Sequence, residues 1–238
     1  DSSGGAGVSA DLKTCHDLAC EASLAVTAVT AQSDRRHYHS YALPGKTLKS
    51  QLLSVSLDDI DAIKIGMLPN LESAGVVRDF LKDFPRNRIV LDPVFSSSSG
   101  GSLSTEEGVA ALDHSLFPYV GLITPNLFEV TRLLSQVGLG DQSQEELALA
   151  CINLGIPAVL LKGGHFTGAK CTDLLALKSG RIFKFSRTRV AGGSEVRGTG
   201  CRLASAIACS LGMGKELPDS VRDACGYLAV YIASQLEG

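Results

Sequence analysis

The sequence has no tryptophan and few aromatic residues, at 5% of the chain. No apolar run approaches the roughly 18 residues of a membrane-spanning helix. Lysine and arginine total 22 against 25 aspartates and glutamates, so the formal net charge is −3. A chain without a basic excess lacks the field that attracts nucleic acid or an anionic membrane surface. We therefore expect a globular protein that binds neither nucleic acid nor membrane.

The seven cysteines form no CxxC pair, and neither they nor the five histidines have the spacing of a zinc site. No signal peptide is recognisable. An odd number of cysteines, in a chain long enough to bury a sizeable core, argues against a disulfide framework. We therefore expect reduced thiols and a cytoplasmic location.

Short apolar runs alternate with longer amphipathic segments along the chain. The predicted strands cover residues 23–31, 62–67, 88–95, 121–126, 158–164, 171–177 and 181–187. The predicted helices cover residues 7–19, 46–58, 70–83, 105–115, 126–136, 142–154, 199–211 and 217–236. Continuous apolar strands separated by helices are typical of a parallel sheet covered on both faces. Without an internal repeat or linker, residues 1–238 are predicted to form one doubly wound α/β domain.

Four local patterns refine this prediction. The KSG at 178–180 separates two strand-like runs and predicts a late antiparallel hairpin. We expect a mobile loop at SSSSGG, 96–101, and a solvated loop at the basic stretch DRRHY, 34–38. The chain begins at Asp1 inside a glycine-rich turn, and such a turn usually follows a strand. We therefore expect an N-terminal strand to be missing from this sequence.

Polar residues follow several predicted strands at the point where each strand ends. Asp92 closes one strand, residues 124–126 close the next, and Lys162 closes a third. Ligands of doubly wound sheets bind outside the carboxyl ends of the strands. The sequence therefore predicts one shared crevice there.

The segment RGTGC, residues 197–201, precedes a run of small apolar residues that predicts a helix. Gly198 and Gly200 would let backbone amides point at a phosphate or a developing anion at the helix N-terminus. The same positive helix end is expected to lower the pKa of Cys201, which could then act as a base or nucleophile. In the alternative interpretation, the glycines make a tight turn and Cys201 only packs. These residues alone leave both interpretations open.

A second glycine-rich turn, DSSGGAG, opens the chain and a predicted helix. It matches neither GxGxxG nor a Walker lysine loop, so it gives no nucleotide specificity. A loop with a helix cap is the simpler interpretation. Asp11 falls on the polar face of the following helix, where a solvated carboxylate is the default.

Asn126 and Glu129 stand three residues apart at a predicted helix start, so they share one face. An amide and a carboxylate suit a hydrated Mg²⁺, and Asp92 would add a second carboxylate beside a buried strand. The same spacing also fits a capping box. Lys162 is either a ligand of nucleotide phosphates or a surface lysine before a turn. With Cys201 as base, these groups would meet the requirements of phosphoryl transfer.

Seven strings in order resemble the hydroxymethylpyrimidine/phosphomethylpyrimidine kinases of thiamine biosynthesis, within the ribokinase-like superfamily. They are DSSGGAGVSADLKT, SLAVTAVTAQ, KIGML, VLDPV, ITPNLFE, LLKGGH and GTGC. The resemblance implies a three-layer α/β/α ribokinase-like fold with a mostly parallel central sheet. It also implies a Mg²⁺- and ATP-dependent kinase that phosphorylates hydroxymethylpyrimidine and then its monophosphate.

The resemblance further implies a role for each candidate site residue. Those facing the pyrimidine would be Asp11, Gln32, Met67 and Val94. Those handling Mg²⁺, phosphate and nucleotide would be Asp92, Glu129, Asn126 and Lys162. The anion hole would be Gly198, Thr199 and Gly200, with Cys201 in place of the aspartate base of the superfamily's sugar kinases.

Three residues depart from the family pattern. Ser98 stands where the family has a flap lysine, which puts the second phosphorylation in doubt. Arg197 and Arg202 flank the anion hole and either add positive charge or, for Arg202, simply face solvent. Two alternatives stay open: a vitamin B6 kinase on the same fold, and a pyrimidine-binding relative without turnover. A homodimer rests on family analogy alone.

Overall fold

The computed structural model describes residues 1–33, 36–95, 105, 116–134, 142–165 and 168–236. Its strands are β1 Ala28–Gln32, β2 His37–Ala42, β3 Ile63–Ile65, β4 Ile89–Leu91, β5 Leu122–Ile123, β6 Ala158–Leu161, β7 Lys170–Leu177 and β8 Ile182–Thr188. β1 and β2 form an antiparallel pair, and the other six form one sheet in chain order. Within this sheet β3 to β6 are parallel, while β7 and β8 are antiparallel. The late hairpin predicted from KSG is confirmed.

The helices are α1 Val8–Asp17, α2 Gly45–Leu53, α3 Leu71–Leu81, α4 Leu127–Leu133, α5 Gln144–Ile152, α6 Thr199–Gly212 and α7 Leu217–Leu236. Each falls within or close to a predicted helix. The helix predicted at 105–115 and the loop predicted at 96–101, with Ser98, lie outside the described residues. None of the helices in the described part of the chain is both long and apolar enough to span a bilayer.

The alternation of side chains along the central strands produces three layers. In β4, Ile89 and Leu91 face a core shared with α2, α3, α4 and α5, whereas Val90 faces a second core under α6 and α7. In β6, Val159 and Leu160 divide between the two cores in the same way. The sheet is therefore covered on both faces, as its continuous apolar strands predicted.

The sequence predictions are wrong at the N-terminal strands. Residues 23–27 were predicted as strand, but they pair with no other strand in the described part of the chain. The side-chain amide of Gln51 instead bonds the backbone N–H and C=O of Val26, at 2.9 and 3.0 Å. The loop predicted at 34–38 also runs into β2. The mixed polar and aromatic sequence of β2 lacks the apolar run by which the other strands were recognised.

Arg202 does not face solvent, which corrects one of the expectations for it. Its side chain lies in the first turn of α6 and is buried. The guanidinium donates to the Tyr227 hydroxyl at 2.8 Å, lies 3.8 Å from the centre of the Tyr231 ring, and approaches the Asp17 carboxylate at 3.6 Å. Arg202 therefore fastens α6 to α1 and α7, away from the anion hole.

Replacing Arg202 tests this structural role. Arg202→Leu removes the cation from three polar partners, the hydroxyls of Tyr227 and Thr14 and the carboxylate of Asp17. We expect the free energy of unfolding to fall by about 2 kcal/mol. Arg222→Leu on α7 is the matched control. It removes an exposed pair with Asp219, which should change stability by no more than about 0.5 kcal/mol. Equal effects in urea denaturation would contradict the assignment.

Candidate active site

The parallel strands β4, β5 and β6 end together at one edge of the sheet. The Asp92 N–H donates to the Ile65 carbonyl at 2.8 Å, and the Lys162 N–H donates to the Pro125 carbonyl at 2.9 Å. These bonds continue the sheet ladder by one residue beyond the strands. The polar residues that follow the strands therefore meet in one crevice, as predicted.

Lys162 lies between two buried carboxylates at this edge. Its Nζ is 2.9 Å from Asp92 Oδ1 and 3.4 Å from Glu129 Oε2, and the Thr124 hydroxyl donates to Asp92 Oδ1 at 3.1 Å. Burial would raise the pKa of Asp92, but Lys162 and Lys64 hold it below its usual value. Burial would lower the pKa of Lys162, but the two carboxylates raise it in turn, and its side chain is only 14% exposed. Lys162 is therefore a largely enclosed, charged group, and the surface-lysine interpretation is wrong.

Asn126 and Glu129 form the capping box at the start of α4. Asn126 Oδ1 accepts the Glu129 N–H at 2.9 Å, and Glu129 Oε2 accepts the Asn126 N–H at 2.7 Å. Burial, with Asp92 nearby, raises the pKa of Glu129 to about 7 even though Lys162 opposes the shift. The capping interpretation is correct, and Glu129 is at the same time a member of the buried charge cluster.

The residues at this edge fit a Mg²⁺ ion that is shared with a phosphate. The described residues contain no group of three His, Cys, Asp or Glu side chains able to hold a metal. Two carboxylates, Asp92 and Glu129, do share this edge, and Mg²⁺ often binds one or two carboxylates together with waters and substrate phosphates. The raised pKa of Glu129 shows a carboxylate that a further cation would stabilise.

A second ion pair lies on the other side of the crevice, and sequence analysis missed its lysine. Lys64 Nζ donates to both oxygens of Asp11, at 2.9 and 3.0 Å, and the Ser205 hydroxyl donates to Asp11 Oδ1 at 2.8 Å. Burial would lower the pKa of Lys64, but Cys201, Asp11 and Asp92 raise it above its usual value. Asp11 is therefore not a solvated carboxylate. The available signal was a lysine inside the apolar strand AIKIGM.

The two glycine-rich turns are packed against each other. Gly198 has a left-handed backbone with φ +71°, and a Cβ on it would overlap the carbonyl oxygen of Gly5. Arg197 donates to the Ser3 hydroxyl at 2.6 Å and lies 3.3 Å from Asp1 Oδ2. Arg197 therefore ties the first turn to the second.

The N-terminus of α6 faces the charge cluster formed by Lys162, Asp92 and Glu129. Gly198 caps this helix without a side-chain hydrogen bond. A Cβ on Gly200 would lie 3.3 Å from Lys162 Nζ and 3.6 Å from Asp92 Oδ2. The first-turn amides of a helix have no partners within the helix and attract anions. Together with Lys162, they form an arrangement suited to phosphate.

The pKa expected for Cys201 has the wrong sign. Burial raises the pKa of this thiol, the carboxylates of Asp92 and Asp11 raise it further, and Lys64 opposes them. Desolvation therefore outweighs the positive helix end. At neutral pH Cys201 is therefore mainly a thiol. It lies at the N-terminus of α6, as predicted, but the lowered pKa predicted for it is wrong.

All the candidate residues line one cavity of about 1930 Å³. They are Asp11, Gln32, Met67, Asp92, Val94, Asn126, Glu129, Lys162, Gly198, Thr199, Gly200 and Cys201. Gln32 is buried, and its Oε1 has no hydrogen-bond partner among the residues that the structure describes. A buried acceptor without a partner is costly in a folded protein. The cavity therefore offers an unused acceptor to a ligand with an N–H or O–H group.

Asp173 positions the Lys162 turn and was not found from the sequence. It is buried on β7, where its Oδ1 accepts the Gly163 N–H at 2.7 Å and its Oδ2 pairs with Arg187. Its position in the apolar run CTDLLAL is the only sequence signal that could have pointed to it.

Comparisons with known proteins test the family resemblance. The family profile described as phosphomethylpyrimidine kinase matches residues 1–237. The chain is 35% identical over 240 residues to a hydroxymethylpyrimidine/phosphomethylpyrimidine kinase of Haemophilus influenzae, covering 99% of this chain and 89% of that protein. These matches confirm the family resemblance found in the sequence.

Two solved structures show the same fold. A phosphomethylpyrimidine kinase from Clostridium difficile has a TM-score of 0.81 and 31% identity, covering 98% of this chain and 95% of its own. A pyridoxal kinase from Staphylococcus aureus, in complex with AMP-PCP and pyridoxal, has a TM-score of 0.82 and 26% identity, covering 96% and 83%. The predicted three-layer kinase fold is confirmed.

Substitution of Gly198 tests the packing of the two turns. Gly214 also has a left-handed backbone, with φ +84°, but no atom of the described chain lies within 4 Å of a Cβ there. Gly214→Ala should lose about 1 kcal/mol of unfolding free energy through backbone strain. Gly198→Ala should lose about 2 kcal/mol more through the added overlap. Similar losses in both variants, measured by chemical denaturation, would show that the turns are not in close contact.

Proposed function

Because the chain belongs to the phosphomethylpyrimidine kinase family, we propose that it transfers the γ-phosphoryl group of ATP to 4-amino-5-hydroxymethyl-2-methylpyrimidine. The resulting monophosphate is proposed as its second acceptor. One observation carries the proposal: a single cavity joins the unpaired acceptor of Gln32 to the open N-terminus of α6 beside Lys162. We place the reaction in the cytoplasm, since all seven cysteines are free.

Gln32 and Asp11 are assigned to recognition of the pyrimidine. Gln32 Oε1 would accept a hydrogen bond from the amino group of the ring, which removes the cost of a buried unpaired acceptor. Met67 and Val94 line the same cavity and would contact the ring. Asp11, held by Lys64 and Ser205, is oriented to receive the hydroxymethyl group.

Charge on the transferred phosphoryl group would be stabilised by groups already in place. The transition state of phosphoryl transfer spreads negative charge over the phosphoryl oxygens, so positioning and charge stabilisation supply most of the catalysis. Amides of Thr199, Gly200 and Cys201 would face those oxygens, with Lys162 beside them. Asp92 and Glu129 would hold Mg²⁺, which supplies further positive charge to the phosphates when bound.

Cys201 is assigned as the base. Its thiolate would accept the proton of the hydroxymethyl group while that oxygen bonds to the γ-phosphorus and the bond from phosphorus to the β-bridging oxygen breaks, releasing ADP. Burial makes this thiolate scarce at neutral pH but also makes it a stronger base once formed. Lys64 is the neighbouring cation that favours the thiolate.

Pyridoxal is the second candidate acceptor. The structural likeness to a pyridoxal kinase, with a TM-score of 0.82, favours it. Pyridoxal could still offer its ring hydroxyl to Gln32. We rank it second because the family profile and the curated relatives are pyrimidine kinases.

An acceptor panel tests the proposal. Purified protein with Mg·ATP is given hydroxymethylpyrimidine, its monophosphate or pyridoxal, and products are separated by chromatography. We expect phosphorylated hydroxymethylpyrimidine as the main product. Phosphorylation of pyridoxal alone would overturn the acceptor assignment, and pyrimidine binding without consumption of ATP would overturn the catalytic one.

Removing the thiol of Cys201 tests its assignment. Cys201→Ala should lower kcat by roughly 10²–10⁴-fold, as expected for a lost general base. The unfolding midpoint should change little, because the side chain lines the cavity. Unchanged turnover would make Cys201 a packing residue only.

Truncation of Gln32 tests pyrimidine recognition. Gln32→Ala should raise the KM for hydroxymethylpyrimidine by roughly tenfold through loss of a buried hydrogen bond. The KM for ATP, measured in the same assay, is the internal control and should stay the same. A parallel rise in both constants would refute the role assigned to Gln32.

A further inference from the structure

Three thiols meet between α1 and α6, behind the candidate active site. Cys15 lies in the last turns of α1, Cys209 lies in α6, and Cys20 follows α1. The Sγ atoms of Cys209 and Cys15 are 3.7 Å apart. Cys20 also interacts with Cys209, since it contributes to the shift in the pKa of that thiol. The proposed phosphoryl transfer uses none of these cysteines.

The thiol pair continues a regular row of contacts between the two helices. Asp11 and Ser205, whose side chains are bonded at 2.8 Å, stand one helical turn before Cys15 and Cys209 respectively. The backbone of Gly7 and the thiol of Cys201 form the preceding contact, one further turn back. Residues four apart lie on one helix face. Any restraint between Cys15 and Cys209 therefore acts on the same helix faces that hold the candidate active site.

We infer that Cys15 and Cys209 form a reversible disulfide that fastens α1 to α6 when the protein meets a peroxide. Both residues line the cavity, and Cys15 is partly exposed while Cys209 is buried. A peroxide can therefore reach Cys15 first. The sulfur atoms must approach from 3.7 Å to the bond length of about 2.05 Å.

The chemistry proceeds in two balanced steps. The thiolate of Cys15 attacks one oxygen of hydrogen peroxide, which yields a sulfenic acid and, after proton uptake, one water. The sulfur of Cys209 then attacks the Cys15 sulfur and displaces the sulfenic oxygen, which leaves as a second water with the Cys209 proton. Two thiols are oxidised to one disulfide, and one peroxide is reduced to two waters.

The environment distinguishes Cys15 from three of the other cysteines. The hydrogen bond from Cys209 lowers the pKa of Cys15 to about 7, although burial opposes the shift. Burial raises the pKa of Cys171, Cys201 and Cys225 instead. Thiolates react with peroxide far faster than thiols. Cys15 therefore has both a more acidic thiol and an adjacent thiol at 3.7 Å.

Peptide mapping tests the inference without reference to catalysis. The reduced protein is treated with hydrogen peroxide, alkylated without reductant and digested with trypsin. Cleavage yields residues 14–35, which contain both Cys15 and Cys20, and residues 203–215, which contain Cys209. We expect these two peptides to be cross-linked in the wild type and in Cys20→Ser, and not in Cys15→Ser.

The unfolding midpoint supplies the second readout. A bond across so long a loop should raise the midpoint by roughly 5–10 °C in the wild type and in Cys20→Ser, and dithiothreitol should reverse the rise. Cys15→Ser should show no rise, and Cys209→Ala replaces it if Cys15→Ser does not fold. A cross-link that survives in Cys15→Ser and is lost in Cys20→Ser would overturn the inference. Sulfinic acid at Cys15 without any cross-link would do the same.

Discussion

The close approach of Gly198 to the carbonyl of Gly5 is the constraint on which the site depends. It fixes the N-terminus of α6 against the turn that opens α1, and Arg197 fastens the same two turns through Ser3 and Asp1. From this point α1 and α6 run side by side, so that each further turn brings another pair of side chains together. The turn that we propose binds the phosphoryl group and the thiol pair thus lie at the two ends of one helix interface.

Opposite charges make a polar centre stable inside this fold. Two largely enclosed lysines, Lys64 and Lys162, lie beside Asp11, Asp92 and Glu129. Burial alone would discharge the lysines and protonate the carboxylates. Pairing keeps both lysines charged and holds Asp92 ionised. The pKa of Glu129, in contrast, is raised to about 7. Two ammonium groups are therefore already in place where we propose that a nucleotide phosphate binds.

Much of this arrangement could be predicted from the sequence. Strands buried on both faces are continuous apolar runs, and these runs predict the three layers. Polar residues follow the runs in the turns, and their positions predict the crevice. Contacts that depend on long-range packing could not be predicted in that way. Residues 23–27 look like a strand but have no strand partner in the described chain, and Arg202 is buried by residues of α7.

Charge environment is the other property that the sequence did not reveal. Lys64 and Asp173 interrupt apolar strands, and only the fold shows which carboxylate or amide each one meets. For Cys201, local structure predicts a lowered pKa, because the residue lies at a helix N-terminus. The tertiary structure adds burial and two carboxylates, and their sum has the opposite sign.

The pH dependence of kcat, in the wild type and in Cys201→Asp, tests most directly whether Cys201, in the first turn of α6, accepts the proton of the acceptor hydroxyl. The thiol of Cys201 has a raised pKa, so its thiolate fraction grows as pH rises. For the wild type, log kcat should therefore climb through the neutral and alkaline range with a slope of about 1. The same burial and carboxylates would raise the pKa of an aspartate at this position, but an aspartate starts from about 4 and a cysteine from about 8.5. The variant should therefore reach its plateau at a lower pH than the wild type. Superimposable profiles for the two proteins would contradict the assignment of Cys201 as the base.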